Sequence, residues 1–180
     1  MKRYQIAILF FAVGIFTVTL VLGFLLKNRP ENTDSPSGLL VETPMVIKVY
    51  FSNNIQDPGS LYCEMTYPTE RDVYQRTENT EITLGELSYL AMVELLKGPN
   101  DSEKNSGFFT SINENVRVKT IVVGDGVATI DFDKTLNEGV AGSCRVQAIR
   151  SQITETLKQF ADVKEVVISV EGEIEEILQP

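Results

Sequence analysis

Few side chains in this sequence of 180 residues could do chemistry, and histidine is not among them. Without an imidazole there is no His general base, no His-based triad and no His metal ligand, which removes a large share of hydrolytic and metal-dependent reactions. Two cysteines, Cys63 and Cys144, and two aspartates, Asp131 and Asp133, remain as candidates. The cysteines are even in number and suit a disulfide in an oxidising compartment, where a bridge closing about 82 residues would stabilise by at most about 4.5 kcal/mol. The competing reading is a reactive thiolate at Cys144, because a helix is expected to start there and a helix N-terminus lowers a thiol pKa. Such a nucleophile would have no His to serve as its base. Asp131 and Asp133 stand two apart in a strand, so both carboxylates share one face, as in a cation site or a carboxylate pair. Ala128, Ile130 and Phe132 take the opposite face, and the simpler reading is a sheet that turns its acids to water. Gly139-Val140-Ala141-Gly142-Ser143 offers N–H groups to an anion but lacks the Lys and the spacing of a phosphate loop, which leaves helix capping as its task. Glu171, Glu173, Glu175 and Glu176 read as a solvated charge run.

Charge narrows the partners. The chain has 16 Lys+Arg against 25 Asp+Glu, a net −9. Lys2, Arg3, Lys27 and Arg29 all precede residue 30 and no acid does, so residues 30–180 hold 12 cations against 25 anions, or −13. A surface of that sign cannot release counterions from phosphates, which argues against DNA or RNA, and anionic lipid is disfavoured for the same reason.

The elements that would position these groups begin with a hydrophobic run. Ile6 to Leu26 carries no charge over 21 residues. As a helix it would be about 31 Å long, matched to a bilayer core of about 30 Å. It is longer than the apolar region of a secretory signal, and no small-x-small cleavage site follows, so a retained anchor is expected over a cleaved leader. The basic N-terminus, residues 1–5, would stay in the cytoplasm and place residues 30–180 on the extracytoplasmic face. Residues 27–44, rich in Pro, Ser, Asn and acids, read as a tether, and the folded domain is expected over 45–180.

Within the domain, Val46 to Phe51 alternates as a strand with Ile47, Val49 and Phe51 on one face, ending at the turn-forming Ser52-Asn53-Asn54. Leu61 to Tyr67 and Arg71 to Arg76, interrupted at Tyr67-Pro68, suggest an irregular strand pair. Thr83 and Glu86 form a capping box ahead of a helix over 84–97, with Leu84, Leu87, Ala91 and Leu95 at helical spacing and Gly98-Pro99 as its stop. A polar loop is expected to about residue 114. Val116 to Val123 and Val127 to Phe132 flank Gly124-Asp125-Gly126 as a hairpin. Ser143 would cap a second helix whose stripe is Val146, Ile149, Ile153, Leu157 and Phe160, packed on Ile47, Val49, Ile130 and Ile168. Lys164 to Val170 closes the set. The order β-α-β-β-α-β with one irregular insertion describes a single α+β helix-on-sheet sandwich, with a ferredoxin-like arrangement among the candidates.

Six blocks, in order, carry a resemblance. VYFSNN (49–54) with Asp57-Pro58 and Cys63 to Tyr67-Pro68, ELLKGPN (94–100), FTSI (109–112), DGVATIDF (125–132), GSCRVQAIRSQITETLKQF (142–160) and EGEIEEILQP (171–180) together resemble the GerMN domain of bacterial sporulation and spore-germination proteins. The resemblance covers about 45–180. It implies a non-catalytic, membrane-anchored module outside the cytoplasmic membrane of an endospore former or a relative, similar to the ring-building motifs of secretion and sporulation channels. It implies no catalytic residues and no cofactor. Its partners would be envelope or sporulation-complex proteins, or further copies of the chain.

The reading is therefore an extracytoplasmic scaffold, with Arg150 and Lys158 on the exposed side of the second helix as the expected interaction surface. The alternative is a module that binds a ligand or cell-wall fragment in a groove beside Cys63 to Tyr67. An exported enzyme using Cys144 or the Asp131/Asp133 pair comes third.

Overall fold

The computed structural model describes residues 41–59, 61–77 and 82–179. The span Ile6–Leu26 and most of the tether lie outside them. Among the described residues no helix is long and apolar enough to cross a membrane.

Strand β1, Val41–Asn53, begins inside the stretch read as tether, because its first residues pair with the far end of β2, Tyr67–Thr77. The irregular pair anticipated around Pro68 is thus one continuous strand preceded by turns. Proline is tolerated because Pro68 lies opposite Tyr50, whose N–H points away from β2 and donates to Thr156 Oγ1 at 3.1 Å. That position of the ladder needs no donor from residue 68.

Helix α1, Leu84–Leu96, starts at the capping box: Glu86 N–H donates to Thr83 Oγ1 at 3.2 Å, and Thr83 N–H donates to Glu86 Oε2 at 2.8 Å. Its buried face is Ser88, Ala91, Met92 and Leu95, one step round from the expected stripe, with Leu84 and Leu87 half-buried. The polar loop that follows contains two short elements. Helix α2, Asp101–Asn105, has its own capping box between Asn100 and Glu103. Strand β3, Phe108–Phe109, pairs with Ser52 and Asn53.

Strands β4, Val118–Gly124, and β5, Val127–Phe132, form the expected hairpin. Asp125 and Gly126 both take positive φ, 51° and 83°, as a two-residue turn between right-twisted strands requires. After a 3₁₀ turn, Lys134–Leu136, comes helix α3, Ser143–Lys158. Gly142, not Ser143, is its N-cap, with φ 88°, a left-handed conformation that would strain serine. Strand β6, Glu165–Val170, lies parallel to β5.

The strands form two three-stranded sheets, β2-β1-β3 and β4-β5-β6, rather than the single sheet of a sandwich or a ferredoxin-like fold. The reason is that both edges of β1 are occupied. One carries β2. The other meets β3 and then side chains of α3: Gln152 Nε2 donates to Ser52 Oγ at 3.1 Å, Thr156 accepts from Tyr50 N–H, and Gln159 accepts from Lys48 N–H at 2.7 Å while donating to Lys48 O at 2.6 Å. These residues, four and three apart, lie along one line of the helix and take the place of a neighbouring strand. Beside them Val146, Ile149, Ile153 and Leu157 enter a core with Val49, Phe51, Met92, Leu95, Ile130, Phe132 and Ile168. Ile47 belongs to a smaller cluster with Val73 and Ala91, and half-buried Phe160 packs against both clusters.

Candidate interaction surface

The segment after β1 turns sharply and is fixed at many points. Asn53 Oδ1 accepts from Ile55 and Gln56 N–H at 2.9 and 3.0 Å, and its amide donates to Ser106 O at 3.0 Å. Asp57 accepts from Leu61 and Tyr62 N–H, each at 3.2 Å, one on each carboxylate oxygen. Gly107 takes φ 87°, which strains any other residue, and a Cβ there would come within 2.7 Å of the Asn54 and Ile55 side chains. Cys63 is bonded to Cys144 at the start of α3, with Cα atoms 4.9 Å apart, and Ser151 Oγ donates to Glu64 O at 2.5 Å. Neither sulfur is a free thiolate, so the nucleophile considered for Cys144 is not available.

Beneath this segment lies a pocket of about 220 Å³ beside the disulfide, walled by Tyr62, Met65, Phe109 and Ala148. Ser52, Asn53, Asp57, Ser111 and Arg145 line it as well. Arg145 donates from Nε to Ser111 O, and from its two terminal nitrogens to Gly139 O and Asn113 Oδ1, at 3.3, 3.2 and 2.6 Å. The segment also exposes apolar side chains, Ile55, Leu61, Tyr62 and Met65, of which Tyr62 and Met65 line the pocket and Leu61 is 77% exposed. Asp57-Pro58-Gly59 is a turn signal readable from sequence, but the roles of Gln152, Ser151 and Arg145 depend on contacts 32 to 100 residues away.

Asp131 lies on β5 but Asp133 lies just past its end, as the cap of the 3₁₀ turn, and both are mostly buried and paired rather than open to water. Asp131 accepts from Ser169 Oγ and Gly172 N–H at 2.7 and 2.8 Å, with Lys119 Nζ 3.8 Å away. Burial alone would raise its pKa, but the Ser169 hydroxyl, the Gly172 N–H and Lys119 together hold it below the usual aspartate range. Asp133 faces Arg117 Nε at 3.5 Å. Glu171 leaves the charge run to bind Lys119 at 2.7 Å, which raises that lysine's pKa. The result is a surface ion network that fastens β4 to the turn after β6.

The expected interaction surface on α3 divides. Lys158 is exposed. Arg150 is half-buried and donates to Ile177 O at 3.0 Å, because the segment after β6 folds back and buries Ile177 and Leu178 in the core. Glu173, Glu175 and Glu176 stay exposed on that segment. Residues 139–141 and Ser143 are mostly exposed, and no side chain caps the helix.

The profile of the Germane family, described as sporulation and spore germination, matches residues 48–176. Among solved structures the chain is similar to the tandem GerMN domains of the sporulation protein GerM from Bacillus subtilis, at 24% identity and a TM-score of 0.45 over 73% of this chain. It spans 40% of the length of that tandem chain. It is also similar to the first GerMN domain of the same protein, at 20% identity and a TM-score of 0.43, over 72% of this chain and 85% of that one. No curated protein matches it. Since the family profile spans most of its length, the chain belongs to the Germane family, and its domain is a GerMN-like module with a role in sporulation or germination.

Proposed function

We propose that this protein is a non-catalytic scaffold, anchored in the cytoplasmic membrane through Ile6–Leu26 with its GerMN-like domain outside, and that it assembles side by side with other envelope proteins or with copies of itself. The observation that carries the reading is the second sheet. α1 and α3 cover the face holding Ala128, Ile130 and Phe132, while Val122 and Thr129, neighbours across β4 and β5, are exposed on the other. Val122 is 66% exposed, and among the described residues β4 pairs only with β5. A bulge between Val118 and Thr120 blunts the first half of that edge and leaves Ile121–Gly124 open for docking, as a ring-building unit would need.

The test is complementation in an endospore former lacking its own copy. The double variant Val122→Glu, Thr129→Glu should unfold at the wild-type midpoint, reach the membrane, and fail to restore sporulation or germination. External protease should digest residues 30–180 in protoplasts. Full complementation by the double variant would refute assembly through this face, and protection of the domain would refute its extracytoplasmic placement.

A further inference from the structure

The segment after β1 presents an unusual combination: four large apolar side chains, Ile55, Leu61, Tyr62 and Met65, stand in water on a backbone held by a disulfide, by four N–H groups that donate to Asn53 and Asp57, and by donations from Asn53 and Ser151. Apolar groups left mobile in water cost a binding partner the entropy of ordering them, whereas groups already held in place bind without that loss. The pocket that Tyr62 and Met65 line, about 220 Å³, has room for one ring, since an apolar cavity of about 150 Å³ holds benzene. Tyr62, Met65, Phe109 and Ala148 would offer such a ring apolar and aromatic contacts, while Ser52, Asn53, Asp57, Ser111 and Arg145 line the rest of the pocket. Charge indicates what would approach. Residues 54–66 contain no Lys or Arg, the exposed Glu64, and Asp57, whose oxygens accept from Leu61 and Tyr62 N–H; Arg145, which also lines the pocket, is engaged with Ser111, Gly139 and Asn113. The field of residues 30–180, at −13, draws in cations and repels acidic or phosphate-rich surfaces.

We propose that this rigid apolar rim and the pocket beside the Cys63–Cys144 bridge form a docking site for a Lys- or Arg-flanked peptide segment of another protein, which seats one aromatic or branched apolar side chain between Tyr62, Met65 and Phe109. This gives the assembly reading a partner of defined chemistry and rests on it for its setting. It uses a surface separate from Val122 and Thr129, so each can fail alone.

The experiment uses the full chain in a neutral detergent and a fluorescein-labelled heptapeptide with one phenylalanine between two pairs of lysines, read by fluorescence anisotropy. Binding should saturate. It should weaken about tenfold or more when alanine replaces the phenylalanine or glutamates replace the lysines, in keeping with a central anchor dominating a small interface. Leu61→Asp and Met65→Asp should weaken it similarly while leaving the unfolding midpoint in place. Leu61→Asp adds an anion, so attraction by charge alone would instead tighten the lysine peptide. The proposal is overturned if the alanine peptide binds as well as the phenylalanine peptide, or if both variants bind like the wild type. It is also overturned if the wild type but not Leu61→Asp sediments as a dimer or attaches to phosphatidylcholine vesicles, which would assign the rim to self-association or to lipid. Loss of the Val122→Glu, Thr129→Glu phenotype would not affect it.

Discussion

Glu103 shows how one carboxylate can hold three pieces of chain. It accepts from Asn100 N–H at 2.7 Å as the reciprocal half of a capping box, from the Thr69 hydroxyl, and from both terminal nitrogens of Arg71. Arg71 and Glu103 are 13% and 11% exposed, and the guanidinium lies over the Phe51 ring, 5.8 Å from its centroid. Burial pushes the Glu103 pKa up, but Arg71, Thr69 and the Asn100 N–H outweigh it and leave the group lowered. A carboxylate whose folded pKa lies below its unfolded one adds stability in full above the unfolded value, about 4.3 for Glu, and loses it as pH falls through the folded value. Asp131 behaves in the same way. Thermal unfolding midpoints should therefore hold steady from neutrality to about pH 5 and drop below about pH 4. Glu103→Gln should be less stable by about 1–3 kcal/mol at neutral pH, because Arg71 loses its counter-charge, and should show a shallower acid decline. Arg150→Glu should lower the midpoint by freeing Ile177 O, whereas Lys158→Glu should change stability by no more than about 0.5 kcal/mol.

At the scale of elements, α3 is both core and edge guard. Ile153 is fully buried among Val49, Ile130 and Ile168, so Ile153→Ala should cost about 2–5 kcal/mol in urea unfolding through lost burial and the cavity left behind. Thr156→Val keeps the volume but strands the Tyr50 N–H, at about 1–3 kcal/mol. The two longer helices were legible because their buried residues repeat at helical spacing and α1 carries a capping box. The hairpin was legible because two glycines flank an aspartate between β-branched runs. Strand β2 was not, because Pro68 and the charges of Glu70, Arg71 and Asp72 mask its alternation, and only the pairing with β1 reveals that residue 68 needs no donor. Helix α2 and strand β3 are too short to show a period. Of the candidate site, the cysteines could be read directly, but not the apolar rim, since Leu61 and Met65 look like core residues until the fold turns them outward.

For the molecule as a whole, the bridge ties two segments 81 residues apart and anchors the apolar rim to the helix that also carries the core. The double variant Cys63→Ser, Cys144→Ser should unfold at lower urea concentration than the oxidised protein, by up to about 4.5 kcal/mol, and excess dithiothreitol should bring the wild type to the same value. Hydrogen exchange should rise first at residues 54–66, which lose their link to α3. The side-chain cover on β1 also has a consequence in time. Lys48 and Tyr50 find their partners at Gln159 and Thr156, more than 100 residues further along the chain. Contacts of that sequence separation form late. Until α3 arrives, β1 has one edge bare, and two chains caught at that moment can pair through it. The chain must therefore finish folding before it meets its copies, and its refolding yield should fall with concentration more steeply when Gln159 is replaced by alanine.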